Sequence, residues 1–350
     1  MVRHPDSAAD SDEGPRRQHG VLRRLAAPLL ALVLAASSGF AATGEPVRPF
    51  LAYHSSWYEP DATRAAETTL ARLSGYISHV ALSFAKPDLN YAGGLDLAGT
   101  GLEYRPSGTV IRDAIALLKA RNPATRVLVA LGGSTYTGWD KLAPAAIGRL
   151  VRDLGADGVD IDFEPPSPAC SPQAGTVRCA SDALILDVVR RLRAELPRPF
   201  VISLAGWSVG AYGAGDFASA PPPSPWRGLL LGLFASPAAR ELDLVSIMSY
   251  DAGPAYDPAQ AFRAYRAVWK GPLALGISVM PSSQGGPRFT VARTAQLLRT
   301  VANDPLAGAM LYALLETPPG PPGPDNPDYR ALSVAICVSL ARPGCDAPLP

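Results

Sequence analysis

Asp157-Gly158-Val159-Asp160-Ile161-Asp162-Phe163-Glu164 sets carboxylates at 160, 162 and 164 inside an otherwise apolar run. Side chains alternate across a β-strand, so the three acids share one face while Val159, Ile161 and Phe163 share the other. That second face is too apolar for a solvated edge strand. Crowded acids in a partly buried row cannot all ionise at ordinary pKa values, so protons are shared or held at raised pKa. A poised general acid is the natural product, with a divalent-cation site as the plainer alternative.

Outward from this run, eight apolar β-like stretches recur, near 50–53, 77–84, 126–133, 158–164, 200–206, 242–250, 273–280 and 308–315. Helix-like stretches with 3.6-type spacing lie between them, for example 110–120, 145–154, 183–196 and 291–302. Eight β/α units predict an α/β fold, a single-domain (β/α)8 TIM barrel with its site at the C-terminal strand ends, where Glu164 falls. A doubly wound sheet is the alternative, but no Gly-x-Gly-x-x-Gly follows the first run. The proline-rich stretches 221–225 and 318–324 read as barrel loops.

The chain of 350 residues is 47% hydrophobic and 18% charged, with a net charge of +1, and lacks the basic footprint of a nucleic-acid or acidic-membrane partner. Arg23 and Arg24 precede an apolar stretch, 25–36, too short to span a bilayer with confidence, and small residues follow it to Ala42. Residues 1–42 are therefore expected to be a signal peptide region and 43–350 the catalytic barrel of a secreted monomer. Four cysteines in an exported protein allow three pairings; the local one joins Cys170 to Cys179 and Cys337 to Cys345. No Cys-x-x-Cys pair supports zinc, and no cofactor or metal is expected.

The motifs resemble glycoside hydrolase family 18, the chitinases and their relatives. Asp157, Asp160, Asp162 and Glu164 match Asp-x-x-Asp-x-Asp-x-Glu on the fourth strand, and Met248-Ser249-Tyr250-Asp251 is similar to Met-x-Tyr-Asp on the sixth. Ala130-Leu131-Gly132-Gly133 resembles Ser-x-Gly-Gly on the third, and Tyr53 and Phe84 fall where the family places aromatics. The resemblance spans roughly 49–341.

It implies a retaining mechanism in which the substrate's own 2-acetamido group is the nucleophile. Glu164 would be the acid and then the base, Asp162 would steady the acetamido N–H, and Asp160 would take up a shared proton. Tyr250 would hold the acetamido oxygen, with Tyr53, Phe84, Gly133, Met248, Asp251 and Tyr312 as further sugar contacts. The implied activity is endo-cleavage of β-1,4 bonds between N-acetylglucosamine units. The alternatives are an endo-β-N-acetylglucosaminidase on N-glycan cores and a non-catalytic carbohydrate-binding barrel. Two departures stand out: Ala130 lacks the hydroxyl that the family directs at Asp160, and Tyr312 replaces a Trp beneath the reactive sugar.

Trp57, Trp139, Trp207 and Trp226 are candidate sugar platforms because indole presents a large rigid face. His54 and His79 read as structural. The gap 281–290 is too short for the small α+β domain of many processive relatives, so an open groove is expected.

Overall fold

The computed structural model describes residues 48–286 and 288–350. The expected signal region, 1–42, lies outside the described residues.

Eight strands close into a barrel: β1 (Phe50–Ser55), β2 (His79–Ala85), β3 (Arg126–Gly132), β4 (Gly158–Asp162), β7 (Val201–Gly206), β8 (Leu244–Ile247), β9 (Leu273–Ser278) and β10 (Ala307–Leu314). All neighbours pair in parallel, and β10 closes the ring on β1. The (β/α)8 expectation therefore holds. The alternation read from β4 is realised in the packing. Val159, Ile161 and Phe163 face outward into the buried shell between strands and helices, while Asp160 and Asp162 point into the barrel. Burying each of those apolar side chains contributes roughly 1.5–3 kcal/mol, which offsets part of the cost of enclosing the acids.

The helices are α1 (Gly108–Arg121), α2 (Pro144–Leu154), α3 (Asp182–Glu195), the single-turn α4 (Leu231–Phe234), α5 (Pro258–Val268), α6 (Val291–Arg299) and α7 (Tyr329–Ser339). Three 3-10 turns, not an α-helix, join β1 to β2. Pro60, the threonines at 68 and 69, and Gly75 punctuate that segment too often for a longer helix.

The loop beyond Glu164 carries a hairpin that the sequence reading omits, β5 (Cys170–Gln173) with β6 (Thr176–Cys179), whose end pair Cys170–Cys179 is a disulfide. A second disulfide, Cys337–Cys345, ties α7 to the C-terminal segment. Between β9 and α6 the described residues form only a loop.

Candidate active site

Asp160 lies at mid-height in the barrel, fully buried, with both carboxylate oxygens engaged. Tyr53 of β1 donates its hydroxyl to Oδ2 at 2.5 Å, and Ser203 of β7 donates to Oδ1. In register, Asp160 pairs with Ala130 on one side and Ser203 on the other. The hydroxyl missing at Ala130 is thus supplied by the opposite neighbour, and the expected gap in the hydrogen bonding of Asp160 does not exist. Ser203 escaped the sequence reading, although its inward alternation on the fifth run gives the signal.

One rung higher, Asp162 is 3% exposed and neighbours Glu164, two residues on along the same face of the run. β4 itself ends at Asp162, so Glu164 stands two residues past the ladder, at the barrel mouth. Burial, together with the repulsion of its acidic neighbours Glu164 and Asp160, pushes the Asp162 carboxyl well up; burial raises Glu164 to about 7, with Asp251 adding to the shift. Both shifts favour the protonated acids. Asp162 Oδ1 is buried and has no partner among the described residues, an acceptor awaiting a donor.

The turn above β3 shapes this pair. Gly132 has φ +98°, and a Cβ there would stand 2.3 Å from the Asp162 carbonyl oxygen and 2.4 Å from the Trp139 ring. Trp139 itself is 2% exposed and packs edge-on to Phe163, so it is a core residue and not a sugar platform.

A cleft of about 550 Å³ opens above the acids, within the range of small-ligand sites. Asp162, Glu164, Phe84, Met248, Tyr250, Asp251 and Tyr312 all line it, as do Trp57 and Trp207. Tyr250 stacks on Tyr312 with centroids 5.7 Å apart, so two aromatic rings form a continuous surface beside the pair. Asp251 has φ +49° and accepts from the Ser283 backbone N–H at 2.6 Å and from its hydroxyl at 3.0 Å, which couples the loops after β8 and β9.

Two expected sugar contacts are corrected. Tyr53 is 1% exposed beneath Phe84 and Tyr312, and its hydroxyl serves Asp160. Gly133 is buried against the Phe84 ring, and its N–H donates to the Asp162 carbonyl at 3.0 Å. Glu103, Ser134, Thr135, Tyr136, Ser208 and Gln284 line the cleft without having been singled out in sequence, because they sit on loops whose periodicity carries no signal. His54 is fully buried and paired with Glu59 at 3.0 Å, a structural role as expected.

No family model matches the sequence. A chitinase of Plasmodium falciparum is 35% identical over 125 residues, 32% of this chain and 31% of that protein, so the match spans less than a third of the curated relative. Among solved structures, a family GH18 chitinase from Chromobacterium violaceum aligns over 84% of each chain at TM-score 0.60 and 16% identity. A GH18 chitinase from Pseudoalteromonas aurantia aligns over 76% of this chain and 94% of its own at TM-score 0.51 and 20% identity. The chain has the fold of these GH18 chitinases.

Proposed function

We infer that the chain belongs to glycoside hydrolase family 18 and cleaves β-1,4 bonds between N-acetylglucosamine units, within chains and with retention, by substrate assistance. The observation that carries this reading is the pair Asp162 and Glu164, both lining the cleft at the mouth of a barrel whose interior acid, Asp160, is held by Tyr53 and Ser203. Acid and nucleophile in ordinary retaining enzymes stand about 5–5.5 Å apart, across the scissile bond. Asp162 and Glu164 are two residues apart at the end of one strand, on the same face, and do not flank a bond in that way. One of them is the acid, and the nucleophile comes from elsewhere.

Glu164, holding a proton near neutral pH, delivers it to the glycosidic oxygen as the 2-acetamido carbonyl oxygen attacks the anomeric carbon. The C–O bond to the leaving chain breaks, and a cyclic oxazolinium forms. Asp162 turns from Glu164 to the acetamido N–H, which satisfies its unpartnered oxygen and balances the developing positive charge. Asp160, steadied by two hydroxyls, shares the proton load beneath. The ionised Glu164 then draws a proton from water, which opens the ring with net retention. Tyr250 holds the acetamido oxygen in line, and Tyr312 supports the sugar.

Among the described residues no helix or strand is inserted between β9 and α6, which supports internal cleavage. Product analysis on soluble N-acetylglucosamine oligomers beside a high-mannose glycopeptide tests the reading. Hydrolysis of the oligomers with β-anomeric first products supports it. Cleavage of the glycopeptide alone would assign the N-glycan core, and binding without cleavage of either would leave a carbohydrate-binding barrel.

A further inference from the structure

Tyr250 and Asp251 also border a second, smaller hollow, set between the loops that follow β8 and β9. Its volume of about 30 Å³ has room for about two waters, or for one ion of halide size. Ser282, Arg288 and Arg293 line it. The Nε atoms of both arginines and the Ser282 hydroxyl are buried, and none of the three has a hydrogen-bond partner among the described residues. Buried donors are nearly always paired, and a charged donor left alone is the costliest case. The remaining contacts do little to relieve this. Arg288 Nη2 reaches only the Val279 carbonyl, at a long 3.4 Å. Among the described residues no carboxylate lies within 4 Å of either guanidinium.

The charge around the hollow is one-sided. Arg293 stands in the first turn of α6, where the helix dipole is positive and a cation is disfavoured, and no acidic residue accompanies it in that turn. Thr290 caps the helix by accepting from the Arg293 backbone N–H, but it brings no charge. Two guanidiniums therefore stand against a single carboxylate, Asp251, which is engaged with Ser283. Tyr256 and Phe289, both buried, complete the wall and limit the screening of that charge by solvent. A water can accept from the three donors yet leaves the excess positive charge in place; a small anion answers both. We propose that this hollow is an anion site, binding one inorganic ion of halide size, such as chloride, on Arg288, Arg293 and Ser282. Ser282 precedes Ser283, the partner of Asp251 in the cleft wall, so the ion secures the loop that holds Asp251 in place. The binding rests on these donors alone, whatever reaction the barrel performs.

The test follows thermal unfolding as sodium chloride replaces sodium gluconate at constant ionic strength, gluconate being too large to enter the hollow. The unfolding temperature of the wild type should climb and level off about 2–4 °C higher, as ligand linkage requires. The double variant Arg288→Gln with Arg293→Gln should show no climb. An unchanged wild-type temperature overturns the site. So does a climb that persists in the double variant, which would be a general effect of the salt. Wild-type crystals grown in sodium bromide test the site without any variant: an anomalous-scattering peak within hydrogen-bond reach of both guanidiniums is expected, and no peak there overturns the proposal. A bromide peak without a chloride-dependent shift would mark an adventitious ion only, and overturns it as well.

Discussion

Ser203 donates its hydroxyl to Asp160 from the strand on the far side of β4 from Ala130, so the innermost acid keeps two hydroxyl donors although the third strand offers none. A hydrogen bond to a charged group contributes about 1.5–3 kcal/mol. Ser203→Ala should lower kcat about ten- to a hundredfold with little change in KM, because Asp160 touches no part of the cleft surface. Moving the hydroxyl back, in Ala130→Ser with Ser203→Ala, should restore part of the rate. Steady-state kinetics of the three proteins check this, and a wild-type rate in Ser203→Ala would contradict it.

The pH dependence follows from the raised carboxyl of Glu164, which must be protonated to act. Its burial raises it to about 7, with the charge of Asp251 adding to the shift and Asp162 opposing it. kcat/KM should therefore fall above about pH 7, approaching tenfold per unit. A profile still rising at about pH 9 would exclude Glu164 as the acid.

The same shift predicts a stability difference. The folded-state pKa of Glu164, about 7, lies above its ordinary 4.5, so the fold favours the uncharged form. The penalty is absent below 4.5 and complete above about 7, at up to about 3 kcal/mol, less whatever solvent reaches the carboxyl. Glu164→Gln should unfold at the wild-type temperature near pH 4 and a few degrees higher near pH 8. Glu316, which burial raises to about 7, titrates in both proteins and cancels in the difference. Calorimetric scans at the two pH values check it; equal unfolding temperatures at both would show that the carboxyl carries no burial penalty.

The Cys170–Cys179 bond closes the hairpin beside the acid's loop and holds Val177 against the Trp226 loop. Closing a loop of this size is worth roughly 2–3 kcal/mol in the chain-entropy view. Replacing both cysteines with serine should lower the unfolding free energy by that amount, measured in denaturant. An unchanged value would make the bond dispensable.

Much of the barrel is legible in the sequence because buried parallel strands are apolar runs of limited length, and period-2 alternation on β4 is unmistakable when three acids interrupt it. Strand ends are less so: Glu164 and Tyr250 continue the pattern of their runs but lie beyond the last ladder bonds. The hairpin after Glu164 is hidden because Cys170-Ser-Pro-Gln carries no apolar alternation and is held by its disulfide. Tyr53 and Ser203 show the harder limit. Whether an inward aromatic or hydroxyl meets sugar or meets Asp160 depends on its height in the barrel, which pairing register sets and one strand read alone does not.

Digestion of a partially N-acetylated chitosan, followed by sequencing of the new reducing ends, tests the substrate-assisted mechanism most directly. If the acetamido group is the nucleophile, every new reducing-end sugar carries an N-acetyl group, whatever its neighbours. Glucosamine at those ends, in proportion to its abundance in the polymer, would require a nucleophile on the protein and would contradict the roles assigned to Asp162 and Glu164.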